Sequence, residues 1–81
     1  MKTYIVFYAG NSSRFSTLAT EVNANSEREA VEKVYADVMY SNYFPQSDGS
    51  ILDCDGYEVA DSDDLTIEYD GGCFYAEELE D

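Results

Sequence analysis

Apolar and polar residues alternate in two segments near the start of the chain, and this alternation predicts a β-hairpin. Residues 3–9 are β-branched and aromatic, and residues 15–22 return to the same chemistry with every second side chain on one face. Between them, residues 10–13 read Gly-Asn-Ser-Ser, a cluster of turn-forming residues. The two segments are therefore expected to pair as antiparallel neighbours.

The period of the apolar residues changes after residue 26, which predicts one helix over 27–41. Ser26 and Glu29 form a capping box, in which the hydroxyl and the carboxylate each accept a hydrogen bond from an otherwise unpaired amide. Pro45 prevents the helix from continuing. The apolar positions recur at spacings of three and four, as in a helix that lies on a sheet, and they are Ala30, Val31, Val34, Val38 and Met39.

Short strands separated by Asp- and Gly-rich turns are predicted in the second half of the chain. Asp70-Gly71, between two β-forming tripeptides, is a good hairpin-turn signal. The predicted strands are 50–53, 57–60, 65–69 and 73–76. The last of these is expected at an exposed sheet edge that can pair two copies, so a monomer and a homodimer both fit the sequence. The acidic residues within 77–81 are expected to form a frayed tail.

These elements are expected to form one domain over 1–81, because a chain of 81 residues has room for a single small core. Residues 1–41 supply the β-hairpin and the helix, and residues 42–81 supply an acidic, β-rich half. The predicted fold is a two-layer α+β domain. It consists of an antiparallel β-sheet, built as β-β-α followed by a β-meander, with one main helix packed on one face.

The net charge of −14 is confined to one part of the chain. Residues 1–33 contain all four basic residues and four acidic ones, so this segment is neutral. Residues 34–81 contain the remaining fourteen acidic residues and no basic residue. An asymmetry of this kind indicates a charged interaction surface, since like charges held side by side oppose folding.

The segment 53–70 is the candidate interaction site, because it concentrates eight carboxylates between strand-forming residues. Residues two apart on one strand face lie about 6.6–6.8 Å apart, a spacing of the same order as the one charge per ~3.4 Å on each DNA strand. Asp37 and Asp48 extend the candidate patch. The candidate residues, including two tyrosines that offer amphipathic contact area, are Asp53, Asp55, Tyr57, Glu58, Asp61, Asp63, Asp64, Glu68, Tyr69 and Asp70.

The acidic residues match no dedicated metal site and no catalytic motif. An EF-hand loop that begins at Asp53 places Glu58 where glycine is required, and one that begins at Ile51 has no ligand at its first position. The chain has no histidine, and Cys54 lies between two aspartates whose charge disfavours a thiolate. We therefore expect no enzymatic activity, no metal and no cofactor. Direct binding to nucleic acid is disfavoured, because the phosphate backbone calls for basic residues.

The sequence favours a cytoplasmic location. No segment has the length and apolar character of a signal-peptide core or a membrane span. Two cysteines do not make a disulfide framework, so Cys54 and Cys73 are expected as reduced residues in or near the core, with a disulfide between them left open.

Small size, a β-β-α opening, extreme acidity and the lack of a catalytic residue resemble the phage-encoded inhibitors of bacterial defence, particularly anti-CRISPR proteins and anti-restriction DNA mimics. The likeness covers the architecture of 1–41 and the acidity of 37–81. No sequence motif defines these families, so no site is carried over residue by residue. The resemblance implies a protein that acts in the bacterial cytoplasm. It would occupy the DNA-binding or PAM-reading channel of a CRISPR effector, or the DNA site of a restriction enzyme or another basic DNA-binding protein.

Three other interpretations are compatible with the sequence. One is a metal-binding module, because clustered carboxylates can bind Mg²⁺ or Ca²⁺. The acidic residues can serve solubility alone, as in a solvated or halophile-type surface, although a halophile's acidity is expected to be spread evenly over the chain. Alternatively, the protein is an acidic protein–protein interaction module without DNA mimicry. In that case the better contact residues are the aromatic ones that follow the helix, namely Tyr40, Tyr43 and Phe44.

Overall fold

A computed structural model describes residues 1–79. Within these residues the chain forms seven strands and one α-helix. In chain order they are β1 (Lys2–Ala9), β2 (Ala19–Ala24), α1 (Glu27–Val38), β3 (Phe44–Pro45), β4 (Ile51–Leu52), β5 (Glu58–Ala60), β6 (Ile67–Tyr69) and β7 (Gly72–Glu78). No helix within 1–79 is long and apolar enough to cross a membrane.

The strands form two antiparallel sheets, and α1 packs on the larger one. The larger sheet has the order β2-β1-β7-β6, and the smaller has the order β3-β4-β5. The predicted α+β class, with an antiparallel sheet and one main helix, is confirmed. The predicted meander of the acidic half is divided, because β6 and β7 join the N-terminal hairpin while β3, β4 and β5 form a sheet of their own.

The predicted position of 73–76 at a sheet edge is wrong for Cys73 and Phe74. Strand β7 pairs with β1 on one side along 73–78 and with β6 on the other side at 72–74, so Tyr75 and Ala76 have no partner in β6. Its pairing with β1 extends from Tyr4 opposite Glu78 to Ala9 opposite Cys73. This register also draws the first part of the predicted frayed tail into the sheet, while Glu80 and Asp81 lie outside the described residues. The sheet edges are β2 and β6.

The β6–β7 hairpin was predicted correctly from its turn. Asp70 and Gly71 both have positive φ, at 47° and 75°, as a two-residue type I′ turn requires. Tyr69 and Gly72 close the turn as the last cross-strand pair. Gly72 has a separate constraint, because a side chain there would collide with the backbone of Ala9 and Gly10.

The core lies between α1 and one face of the larger sheet. Tyr35, on the inner face of α1, is 1% exposed, and its ring centroid lies 5.5 Å from that of Phe74 on β7. Tyr35 was not among the predicted stripe residues, although it follows Val31 by four positions on the same helix face. The buried residues of β1 alternate, so that every second side chain of that strand points toward the helix.

The helix begins where predicted and ends earlier. The Glu29 amide donates to the Ser26 hydroxyl at 3.1 Å, and the Glu29 carboxylate accepts from the Asn25 amide at 3.0 Å. The helix ends at Val38 rather than near 41, because Met39 leaves helical geometry with φ −126° and ψ 40°. A 3-10 turn over Tyr40–Asn42 follows.

The second predicted strand starts late, at Ala19 instead of 15. A 3-10 turn over Ser13–Phe15 occupies the preceding residues. The reason is tertiary: the Phe15 ring is buried against Tyr8 and Phe74, with centroid distances of 5.8 and 5.2 Å. An aromatic cluster thus takes Phe15 out of the strand that its local sequence favours.

Candidate functional site

A groove of about 960 Å³ lies between the two sheets. Residues 53–57 and β5 form one side of the groove, and β6 with the 70–73 segment forms the other. Tyr35 and Asn42 also line it. Five carboxylate residues line this groove, and they are Asp53, Asp55, Glu58, Glu68 and Asp70.

A smaller concavity of about 190 Å³ adjoins the groove, and the two share Glu58, Val59 and Glu68. The smaller one adds Asp61 and Asp64. The structure therefore brings nine of the ten candidate residues to one connected concave region, which we call the acidic groove. The exception is Asp63, which lines neither part. The nine residues are Asp53, Asp55, Tyr57, Glu58, Asp61, Asp64, Glu68, Tyr69 and Asp70.

Asp53 stabilises the turn that positions Asp55 and Tyr57 at the groove. One of its carboxylate oxygens accepts hydrogen bonds from the amides of Asp55 and Tyr57, both at 2.9 Å. Gly56 makes the turn possible with φ 85°. An aspartate that binds the backbone ahead of it is a common turn device. Its consequence here is that Asp55 is held exposed at the groove, with no hydrogen bond to its carboxylate from residues 1–79.

Asp61 and Asp64 stabilise a second turn by reciprocal bonds. The Asp61 carboxylate accepts from the amides of Asp63 and Asp64, at 2.8 and 3.0 Å, and the Asp64 carboxylate accepts from the Asp61 amide at 3.0 Å. Both residues therefore have a structural role as well as a place in the acidic groove. A substitution at either position tests folding as much as binding.

The predicted regular spacing of carboxylates is not observed. Most of these carboxylates lie in turns rather than on strands. Asp53 and Asp61 each accept the amide of the residue two positions ahead, and those residues are Asp55 and Asp63. Only Glu58 and Glu68 lie within strands. The 6.6–6.8 Å repeat expected along a strand face thus does not describe this surface. The surface is distinguished by the number of carboxylates it brings together and not by a regular spacing between them.

The carboxylates of the acidic groove form no ion pair within residues 1–79. The salt bridges of this part of the chain join Lys2 to Glu78, Arg28 to Glu32 and Lys33 to Glu29, at 3.2, 2.7 and 3.4 Å. The fourth basic residue, Arg14, donates to the Val38 carbonyl and lies over the Phe15 ring. The groove carboxylates are therefore not ion-paired with the chain's own cations, although the Arg28 guanidinium donates to the backbone carbonyls of Asp61 and Asp64.

The two candidate tyrosines differ in accessibility. Tyr57 is 72% exposed at the rim of the groove. Tyr69 is half-buried, with its ring edge-on to Tyr8 and Phe15 at 6.2 and 5.6 Å between centroids. Tyr57 can thus offer its whole ring to a partner, whereas most of the Tyr69 ring stabilises the core.

The two proposed extensions of the patch lie outside the acidic groove. Asp37 is exposed on α1, and Asp48 belongs to the turn between β3 and β4. The hydroxyl and amide of Ser50 both donate to the Asp48 carboxylate, and they hold the pKa of this group below its usual value. Asp48 therefore acts as a turn residue, as Asp53 does.

Sequence reasoning missed several groove residues that are small or uncharged. They include Asn42, Val59, Thr66 and Gly71, for which the sequence carries no distinguishing signal. Both cysteines also line the groove, and both are free thiols: Cys73 is half-buried, while Cys54 is exposed instead of lying in or near the core. Within 1–79, no group of three or more Cys, Asp or Glu side chains is arranged to hold a metal ion.

Comparison with protein-family models, with curated proteins and with solved structures gives no match for this chain. The geometry and charge of the acidic groove are therefore the features that indicate a function for this chain.

Proposed function

We propose that this protein is a stoichiometric inhibitor that occupies the DNA-binding surface of a host defence protein, such as a CRISPR effector, in place of DNA. The observation that carries the proposal is the gathering of carboxylates without an ion pair, from three turns, β5 and β6, around one groove. A surface that binds nucleic acid displays Lys and Arg toward phosphates. Such a surface is electrostatically complementary to the acidic groove.

The concave shape specifies how the partner is engaged. Carboxylates that line a groove are best reached by Lys or Arg side chains that project from a loop or helix of the partner. Arginine is favoured, because its planar guanidinium binds carboxylate oxygens in a bidentate manner. Tyr57, exposed at the rim, adds a ring face on which a guanidinium can stack.

The test uses purified CRISPR effectors and restriction enzymes in DNA-binding assays. The protein should displace target DNA at an equimolar ratio, and association should slow steeply as salt rises. The groove variant Asp55→Lys/Glu58→Lys should weaken inhibition about tenfold or more, since both carboxylates are free of turn bonds. The matched control is Glu21→Lys/Glu77→Lys, which makes the same change in charge on β2 and β7, outside the groove.

Two results would contradict the proposal. The first is that no effector or restriction enzyme in the panel loses DNA binding at equimolar inhibitor. The second is equal inhibition by the wild type and the groove variant, with both folded by circular dichroism. Loss of inhibition in the control variant alone would locate binding on the other face of the sheet.

The second candidate function is an acidic protein–protein interaction module without DNA mimicry. The observation that favours it is the exposure of two aromatic residues after the helix, Tyr40 at 80% and Phe44 at 47%. Tyr43, the third predicted contact, is half-buried, and its hydroxyl donates to Glu32 at 3.1 Å. Under this alternative, Tyr40→Ser/Phe44→Ser abolishes binding to the partner, whereas the groove variant Asp55→Lys/Glu58→Lys still binds it.

A further inference from the structure

Within residues 1–79, the outer side of β2 is an unpaired edge of the larger sheet, since β2 is the first strand in the order β2-β1-β7-β6. The Leu79 amide donates to the Thr3 carbonyl at 2.8 Å, so the backbone groups of Thr3 point toward β7. Successive residues of a strand direct these groups to alternate sides, and Tyr4 therefore bonds toward β2, where Val22 is its cross-strand partner. The residues before and after Val22 direct their amides and carbonyls away from the sheet.

These outward-facing residues are Glu21 and Asn23, and both are exposed. The Asn23 carbonyl accepts a hydrogen bond of 2.8 Å from the Lys33 ammonium group, as its position on the outer side allows. A carbonyl has two lone pairs, so it can accept from a strand amide as well. The edge of β2 therefore presents two amides and two carbonyls in the alternating arrangement that a further antiparallel strand requires.

The acidic half of the chain lies away from this edge. Strand β2 belongs to the neutral segment 1–33, and the acidic groove lies beside β6, at the other end of the strand order. Two copies joined through β2 would form one sheet of eight strands, in which the two β6 strands are about 34 Å apart across seven spacings of about 4.8 Å. Physiological salt screens charges beyond about 8 Å. The net charge of −14 on each copy therefore opposes pairing least at β2.

We infer that β2 pairs in the antiparallel sense with β2 of a second copy of this chain, around a two-fold axis at Val22. Such an interface is isologous, so the edge has to be complementary to itself. With Val22 opposite Val22, Glu21 lies opposite Asn23 of the second copy on both sides of the axis. Thr3 donates to the Asn23 side-chain oxygen at 2.9 Å, which leaves the Asn23 NH2 group to donate to the Glu21 carboxylate of the other copy.

Other positions of the axis are less favourable. An axis at Glu21 would place two like charges directly opposite each other, which is destabilising. An axis at Thr20 or at Asn23 leaves only three residues of β2 in the ladder, because this strand spans Ala19–Ala24. The axis at Val22 keeps five residues paired, and it brings together two half-buried apolar side chains that already pack against the core.

Amide hydrogen exchange, measured by NMR at rising chain concentration, tests this pairing without a substitution. The amides of Glu21 and Asn23 should become protected in parallel with a doubling of the mass in sedimentation equilibrium. The amides of Thr20 and Val22 bond to β1 and should be protected at every concentration. Rising salt should strengthen the dimer, because it screens the repulsion between the two copies.

Two substitutions at one exposed position should change association in opposite directions. Asn23→Glu places like charges opposite each other twice in each dimer and should weaken association about tenfold, whereas Asn23→Lys places a lysine opposite Glu21 and should strengthen it by a similar factor. Gln46→Glu and Gln46→Lys are the matched controls. Gln46 is exposed after β3 in the smaller sheet, so these variants make the same changes in net charge away from β2 and should alter association by less than about twofold.

Three outcomes would overturn the inference. The first is the mass of a single chain at every protein and salt concentration. The second is a dimer in which the Glu21 and Asn23 amides stay unprotected, because another surface would then join the copies. The third is equal association for Asn23→Glu and Asn23→Lys. None of these measurements uses a DNA-binding enzyme, so the dimer and the proposed inhibition can fail separately.

Discussion

Arg28 on α1 donates a hydrogen bond of 2.6 Å to the backbone carbonyl of Asp61, at the start of the second acidic turn. The same guanidinium donates to the carbonyls of Asp64 and Gly49 and pairs with Glu32. Its side chain is only 14% exposed. This one cation of the neutral N-terminal part thus connects α1 to two turns of the acidic half through their carbonyl oxygens, and it leaves the carboxylates of the groove unpaired.

We expect Arg28→Ala to lower the free energy of unfolding by about 2 kcal/mol, because charge-assisted bonds to several carbonyls are lost together. Arg28→Lys should lose more than half as much, since an ammonium group cannot span acceptors that a planar guanidinium reaches. Urea denaturation measures both changes. Lys33→Ala is the control, because its ion pair with Glu29 and its hydrogen bond to the Asn23 carbonyl are both exposed and together should contribute at most about 1 kcal/mol. An unchanged midpoint for Arg28→Lys would contradict this role.

Two glycines allow a steric effect to be separated from a conformational one. A side chain at Gly72 collides with the backbone of Ala9 and Gly10, whereas one at Gly56 meets open space but requires φ 85°. We expect Gly56→Ala to lower the unfolding free energy by about 1 kcal/mol. Gly72→Ala should lower it by about 3 kcal/mol, because β1 and β7 must move apart. Thermal unfolding of the two variants side by side checks the order, and the reverse order would refute it.

The parts of the fold that the sequence predicts are those determined locally. The Ser26 cap, the apolar period of α1 and the Asp70-Gly71 turn each depend on residues within a few positions. The position of β7 between β1 and β6 depends on pairings across most of the chain. No local pattern records which strands become neighbours. The prediction of an edge failed at Cys73 and Phe74 for this reason.

The composition of the acidic groove was predictable, but the role of each carboxylate was not. A run of aspartates near glycines and serines indicates turns as strongly as it indicates a charged surface. Asp53 accepts two backbone amides, while Asp55 accepts none within residues 1–79, although both lie in the same acidic tetrapeptide. Only the folded turn distinguishes the residue that builds the surface from the residue that is displayed on it.

The unpaired carboxylates of the groove should oppose folding. Two charges about 7 Å apart in water repel by about 0.6 kcal/mol before screening. We therefore expect Asp55→Asn/Glu58→Gln to raise the unfolding free energy by a few tenths of a kcal/mol at low salt, with the gain vanishing near 1 M salt. Urea denaturation at several salt concentrations measures this dependence.

Glu29→Gln is the matched control for that measurement. The Asn25 amide and Lys33 lower the pKa of Glu29, so its charge stabilises the fold and neutralising it should be destabilising. A gain in stability for Glu29→Gln equal to that of Asp55→Asn/Glu58→Gln would show that the effect follows total charge and not the crowding of carboxylates in the groove.

Tyr35 gives the protein a specific sensitivity to alkaline pH. Burial beneath the larger sheet, together with the nearby Asp53 carboxylate, raises the pKa of Tyr35 to about 12, above the value of about 10 for an unfolded tyrosine. The unfolded state therefore releases this proton first, and stability declines from about pH 10 to about pH 12, by about 2 kcal/mol for this residue.

Urea denaturation across that range should show a shallower decline for Tyr35→Phe, whereas Tyr57→Phe, at an exposed position, should follow the wild type. Equal slopes for wild type and Tyr35→Phe would mean that another group is responsible for the alkaline loss of stability.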